Sequence, residues 1–184
     1  MKTDLSKYDN HWYHTGASIV KRTLWYYVNL LFVRNPYLPI NALKVAMLRL
    51  FGAEIGKKVI IKPFVNIKYP WRLKVGDYTW IGESVWIDSL ADVEIGKNCC
   101  LSQGAMLLCG NHNYQKAAFD LMLGEIHLGD GVWIGTKSIV GPNVNCKNHS
   151  VLTVNSVASE DLEAYGIYRG NPAIKIKIRK IGKM

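Results

Sequence analysis

Val75-Gly76-Asp77-Tyr78-Thr79-Trp80-Ile81-Gly82-Glu83-Ser84-Val85-Trp86-Ile87 is the stretch that decides the fold. Aliphatic residues stand at Val75, Ile81 and Ile87, a period of six. Four positions after the first two stand Thr79 and Val85. A helix would space its apolar positions by three and four. A lone half-buried strand would alternate strictly. A period of six fits neither. It fits a prism-shaped coil in which each side takes six residues and each corner buries one aliphatic group.

The same register extends both ways. Upstream it holds Ile55, Ile61 and Ile67; downstream it holds Ile95, Leu101 and Leu107, then Leu128, Ile134 and Val140. Cys146 is apolar enough to fit, and Leu152 resumes the series. Small residues or valine follow four positions later, as at Val59, Val65, Cys99, Ala105, Ser138 and Ser156. An aliphatic-glycine dipeptide recurs at Ile55-Gly56, Val75-Gly76, Ile95-Gly96 and Leu128-Gly129. Glycine there is expected to serve a tight corner. Extra residues enter once per coil, around Trp71-Arg72 and Ala91-Asp92. A longer interruption runs from Cys109 to Glu125, and loops of that length in compact repeats are usually functional.

The flanks differ from the coil. Three parts are expected: a helical segment over 1–54, a coil over 55–160 with the loop 109–125 inserted, and a basic tail or strand over 161–184. Asn41 reads as an N-cap and Gly52 as the glycine just past the helix end. Ser18 to Val33 is strongly apolar and aromatic, but shorter than a membrane span requires. It suits a helix packed on the coil or on another subunit. Lys21, Arg22 and Arg34 around it also suit an interfacial membrane contact. Ala173 to Ile181 alternates apolar and basic residues, which reads as a strand with a positive face.

Composition sets outer bounds. Of 184 residues 49% are apolar and 20% charged, unlike a disordered chain. A net charge of +9 favours an anionic partner, yet no nucleic-acid-binding motif accompanies it. The four cysteines, Cys99, Cys100, Cys109 and Cys146, form no CxxC and no zinc-finger spacing. With no apolar signal core at the start, a reducing cytoplasm is expected. Adjacent Cys99 and Cys100 should face opposite sides of a strand.

With these residues in hand, the chain resembles the hexapeptide-repeat acyltransferases, in the colanic-acid-biosynthesis-type branch, itself similar to the galactoside and maltose O-acetyltransferases. The resemblance rests on Leu48-Arg49-Leu50-Phe51-Gly52-Ala53, Leu101-Ser102-Gln103, Gly110-Asn111-His112-Asn113-Tyr114, Val132-Trp133-Ile134-Gly135 and Arg169-Gly170-Asn171-Pro172-Ala173. It implies a mainly β fold, a left-handed parallel β-helix, against the usual right-handed crossover. It also implies acetyl-CoA as cosubstrate without a metal, a homotrimer with active sites between subunits, and a sugar or glycan acceptor. Such an acceptor could be lipid-linked, which would suit the apolar N-terminal segment.

Acetyl transfer to a hydroxyl needs a base, and imidazole titrates near working pH. Of five histidines, His112 alone sits at the root of the long loop. The resemblance places the catalytic histidine there. It places the oxyanion and donor site at Gly135 and Thr136, and CoA contacts at Val154, Ser159 and Lys177. Lys175 joins Lys177 as a candidate for the CoA phosphates by charge. Asp88 and Ser89 fall near the family's acceptor stretch, and Trp86 offers a face for a sugar. Asn111, Gln103 and Tyr114 complete the acceptor candidates, the last two also as groups that could orient His112. Departures include Ser159-Glu160 in place of a frequent Thr-Lys pair, and Ile174 in place of a basic residue. N-acetylation of an amino sugar would use the same base and donor site. A carbonic-anhydrase-type metal site would need His112, His127 and His149 to converge. A non-catalytic scaffold would need neither CoA nor His112.

Overall fold

The structure is a computed structural model that describes residues 2–182. Its body is a parallel coil with three faces. The first face stacks Glu54–Ile55, Leu73–Val75, Val93–Ile95, Ile126–Leu128 and Asn145–Cys146. The second stacks seven strands, beginning with Ile60–Ile61 and ending with the antiparallel pair Gly166–Gly170 and Ala173–Ile178. The third stacks Asn66–Ile67, Trp86–Asp88, Met106–Leu108, Ile139–Val140 and Val157–Ala158.

The six-residue period becomes columns. Ile55, Val75, Ile95, Leu128 and Cys146 align in register on the first face. Ile61, Ile81, Leu101, Ile134 and Leu152 align on the second, and Ile67, Ile87, Leu107, Val140 and Ala158 on the third. All are buried. Between the columns sit the small residues, including Thr79, Ser138, Ser150 and Ser156, each without exposed surface. Cys99 faces in and Cys100 is half-exposed, as adjacent strand positions must be. Burial pushes the Cys99 thiol up to about 11.

One expectation about the corners changes. Gly56, Gly76 and Gly96 have no positive φ; the left-handed residues stand two positions later, at Lys58, Tyr78 and Asn98. These glycines are needed because coils stack closely. A Cβ on Gly76 would lie 2.6 Å from the Gly96 carbonyl carbon, and one on Gly96 would lie 2.7 Å from that of Gly129.

The N-terminal part forms helix α1 (Ile19–Val28), a π-turn (Asn29–Val33) and helix α2 (Asn41–Leu50). Ser18 caps α1, its side chain accepting from the Lys21 amide. Trp25 fixes α1 to the coil, its indole N–H donating to Ile67 O at 2.9 Å. Gly52, at φ +104°, ends α2 with paired bonds: its amide reaches Arg49 O and that of Ala53 reaches Leu48 O. Asn41 is not the N-cap. Ile40 holds that position, and the Asn41 amide spans to the first coil instead. It donates to Val59 O at 2.9 Å and accepts from the Ile61 amide at 2.8 Å.

The interruption at 109–125 is a β-hairpin, Gly110–His112 against Leu121–Leu123. It leaves the coil after the third face and returns to the first. The coil also runs past residue 160: Leu162 bridges to Cys146, and Gly166–Gly170 lies parallel to Val151–Leu152.

Candidate active site

His112 ends the first hairpin strand. Its backbone amide donates to Asn111 Oδ1 at 2.8 Å, and its Nδ1 lies 2.8 Å from Phe119 O. A carbonyl oxygen only accepts, so Nδ1 carries the proton and Nε2 presents its lone pair. The imidazole stacks on the Phe119 ring, with centroids 4.5 Å apart and planes 10° apart. Tyr8 lies against it at 5.8 Å. Ring plane and tautomer are therefore both set.

Neither proposed orienting side chain does this. Tyr114 is 78% exposed near the hairpin tip. Gln103 stands on another edge of the prism, its Oε1 accepting from Thr136 Oγ1 at 3.3 Å. Phe119 and Tyr8 were missed. Phe119 acts through its carbonyl, which leaves no mark in residue type. Tyr8 arrives because the N-terminal segment returns to the hairpin, where the Asp4 amide donates to Ala117 O at 2.8 Å.

The donor-side residues form a column at the corner after the second face. Glu83, Gln103 and Thr136 stack through amide bonds from Gly104, Lys137 and Asn155, and Val154 stands above them. Gly135 is buried, and a Cβ there would lie 2.6 Å from the Val154 amide nitrogen. Val154 is 63% exposed. Ser159 is exposed at a different corner, after the third face. Lys177 is exposed on the terminal strand, opposite Ile167. Lys175 is already paired with Glu163, which raises the lysine above its ordinary value and lowers the carboxylate. In one chain, then, His112 and Thr136 belong to different edges of the prism.

The acceptor candidates divide. Trp86 is exposed on the third face. Asp88 is nearly buried and pairs with Lys68 Nζ at 3.1 Å. Ser89 has no exposed surface; its hydroxyl donates to Tyr69 O (3.0 Å) and accepts from the Tyr69 amide (2.9 Å). The expectation of an acceptor contact at Ser89 gives way to a role in holding Tyr69.

Among the described residues no group of three or more His, Cys, Asp or Glu side chains could hold a metal ion. His127 lies between Glu94 (3.5 Å) and Glu125 (3.3 Å), and His149 packs on Tyr165. Within one chain, His112, His127 and His149 each have separate partners.

No family model matches the chain. It is 35% identical over 165 residues to a protein of Escherichia coli K12 described as a colanic acid biosynthesis acetyltransferase, WcaF, covering 89% of this chain and 90% of that one. The hexapeptide-repeat acetyltransferase VCA0836 of Vibrio cholerae, solved with acetyl-CoA, superposes with a TM-score of 0.80 at 22% identity, covering 90% and 92% of the two chains. A galactoside acetyltransferase solved with coenzyme A superposes with a TM-score of 0.77 at 20% identity, covering 86% and 80%. These superpositions show the fold, a left-handed parallel β-helix. Together with the likeness to WcaF, they place this chain in the hexapeptide-repeat acetyltransferase family, in the colanic-acid-biosynthesis branch.

Proposed function

We propose that this acetyltransferase moves the acetyl group of acetyl-CoA to a sugar hydroxyl, in the synthesis of an exopolysaccharide or capsule. The observation that carries it is the His112 imidazole, whose Nδ1 is tied to Phe119 O and whose Nε2 is left as the basic atom. Nε2 takes the hydroxyl proton as the oxygen attacks the thioester carbonyl. A backbone N–H at the Gly135-Thr136 corner supports the oxyanion of the tetrahedral intermediate. As that intermediate collapses, the carbon–sulfur bond breaks, and His112 returns the proton to the departing thiolate. Val154, Lys177 and Ser159 are the proposed CoA contacts. Trp86, Asp88 and Asn111 are the proposed acceptor contacts.

The working unit is proposed to be a homotrimer. Two features support it. His112 and Thr136 sit on different edges of one chain, so a neighbour must bring the second half. The second face also carries exposed Trp80 and Trp133, and the terminal strand adds exposed Ile174 and Ile178, apolar surface suited to burial between copies.

Thiol release from acetyl-CoA with glycan and nucleotide-sugar acceptors tests the mechanism. His112→Ala is expected to lose at least about a hundredfold in turnover, and full activity in this variant would overturn the assignment. Base treatment of the product separates ester from amide: a product stable to mild alkali would make the enzyme an N-acetyltransferase.

A further inference from the structure

A cleft of about 360 Å³ lies between α1 with its π-turn and the third face. Three cations line it, Arg22, Arg34 and Lys68, and no carboxylate does. Lys68 is satisfied by Asp88. Among the described residues, neither arginine side chain forms an ion pair or a hydrogen bond, and Arg22 Nε is shielded from solvent without a partner. Asn29, only 7% exposed, also lines the cleft. It donates to Asn66 Oδ1 at 2.8 Å and leaves its own carbonyl oxygen unpartnered. Tyr26, Tyr69 and Trp86 supply aromatic walls.

Folding alone gives no reason to collect unpaired guanidinium groups over a buried amide with a free acceptor. Guanidinium forks match phosphate oxygens in a bidentate manner, and an unmet carbonyl oxygen matches a hydroxyl. Aromatic walls suit the faces of a sugar. From these we infer that the cleft holds the phosphate or diphosphate ester of a sugar acceptor, with Arg22 and Arg34 on the phosphate oxygens. The cleft adjoins the active hairpin: Asp88, the partner of Lys68, reaches to within 3.4 Å of where a Cβ on Gly110 would stand, two residues from His112. The acceptor is therefore a phosphorylated precursor rather than free sugar. This rests on the sugar-acetylation reading above, but its binding test does not.

Calorimetric titration with inorganic diphosphate tests the cleft directly. Coenzyme A is present at saturation, so that the donor site, which also accepts phosphates, is filled. Saturable binding is expected, weakened at least tenfold in Arg22→Gln and in Arg34→Gln. Arg34 is exposed, so its substitution spares the fold. No binding, or binding indifferent to both substitutions, would overturn the inference whether or not the protein acetylates sugars. In the kinetic arm, both variants should raise KM at least tenfold for sugar diphosphate acceptors and leave KM for the unphosphorylated sugar unchanged. Equal effects on both acceptors would overturn it. A nucleoside-diphosphate sugar compared with a polyprenyl-diphosphate sugar separates the two sources. A lipid-linked acceptor should also lose affinity in Leu24→Ser, on the exposed outer side of α1.

Discussion

At the scale of single residues, two positions carry opposite costs. Lys44 points inward from α2 with 1% exposure, and its Nζ has no partner. Burial holds its ammonium below the ordinary value of 10.5. Between that lowered value and 10.5 the unfolded chain binds more protons than the folded one, so stability rises with pH there. Below the lowered value both states are protonated and the full penalty remains. Lys44→Met, of similar length, is expected to stabilise by about 1–2 kcal/mol at neutral pH. It should also flatten the alkaline rise, read from denaturant unfolding at several pH values. His112 is the contrasting case, because its Nδ1 is fully satisfied and its Nε2 is deliberately free. Sequence put this imidazole at the root of the long break, because an interruption in a strict repeat is visible. It could not name Phe119 O as the partner, because every residue has a carbonyl.

At the scale of elements, the join between helix and coil is polar as well as apolar. Asn41 ties α2 to both sides of the first second-face strand, and Arg49 reinforces it, with Nε donating to Ile55 O at 3.1 Å. Asn41→Leu keeps the helix but leaves the Ile61 amide and Val59 carbonyl unmet. A loss of about 1–3 kcal/mol is expected, and hydrogen exchange should show early opening of the first coil. Asn41→Asp would restore the acceptor and lose only the donor, so it should cost less. The sequence motif for a cap was present, and the error was one of partner: an Asn beside a helix start can satisfy a neighbouring strand instead. The corner glycines teach the same lesson. Their spacing was visible, but their reason, contact with the next coil, lies 19 or more residues away in the chain.

At the scale of the whole molecule, the prism exposes what a single chain would be expected to cover. Trp80, Cys100 and Trp133 form one outward column on the second face, with Trp133 Nε1 donating to Ser102 Oγ at 2.9 Å. Light scattering is expected to give three times the chain mass. Trp133→Glu should dissociate the assembly while the coil stays folded by circular dichroism. Thiol release should fall with the assembly, because His112 and Thr136 then meet no complementary edge. A monomeric wild-type protein of full activity would remove the shared-site reading. No helix among the described residues is long and apolar enough to cross a membrane, so α1, with Val20, Leu24 and Tyr27 exposed, presents a surface rather than a span.

What the sequence by itself determined is the coil. Burial at a fixed corner recurs every six residues, and a repeated demand on side-chain type is written directly in the order of residues. The register of every column and the site of the break followed from that. Only the tertiary structure decided the rest: the return of Tyr8 to the hairpin, the commitment of Ser89 to Tyr69, the pairing of Lys175 with Glu163, and the unpaired arginines over Asn29. These depend on backbone atoms and on contacts between segments far apart in the chain. Such contacts repeat nowhere, so no period announces them.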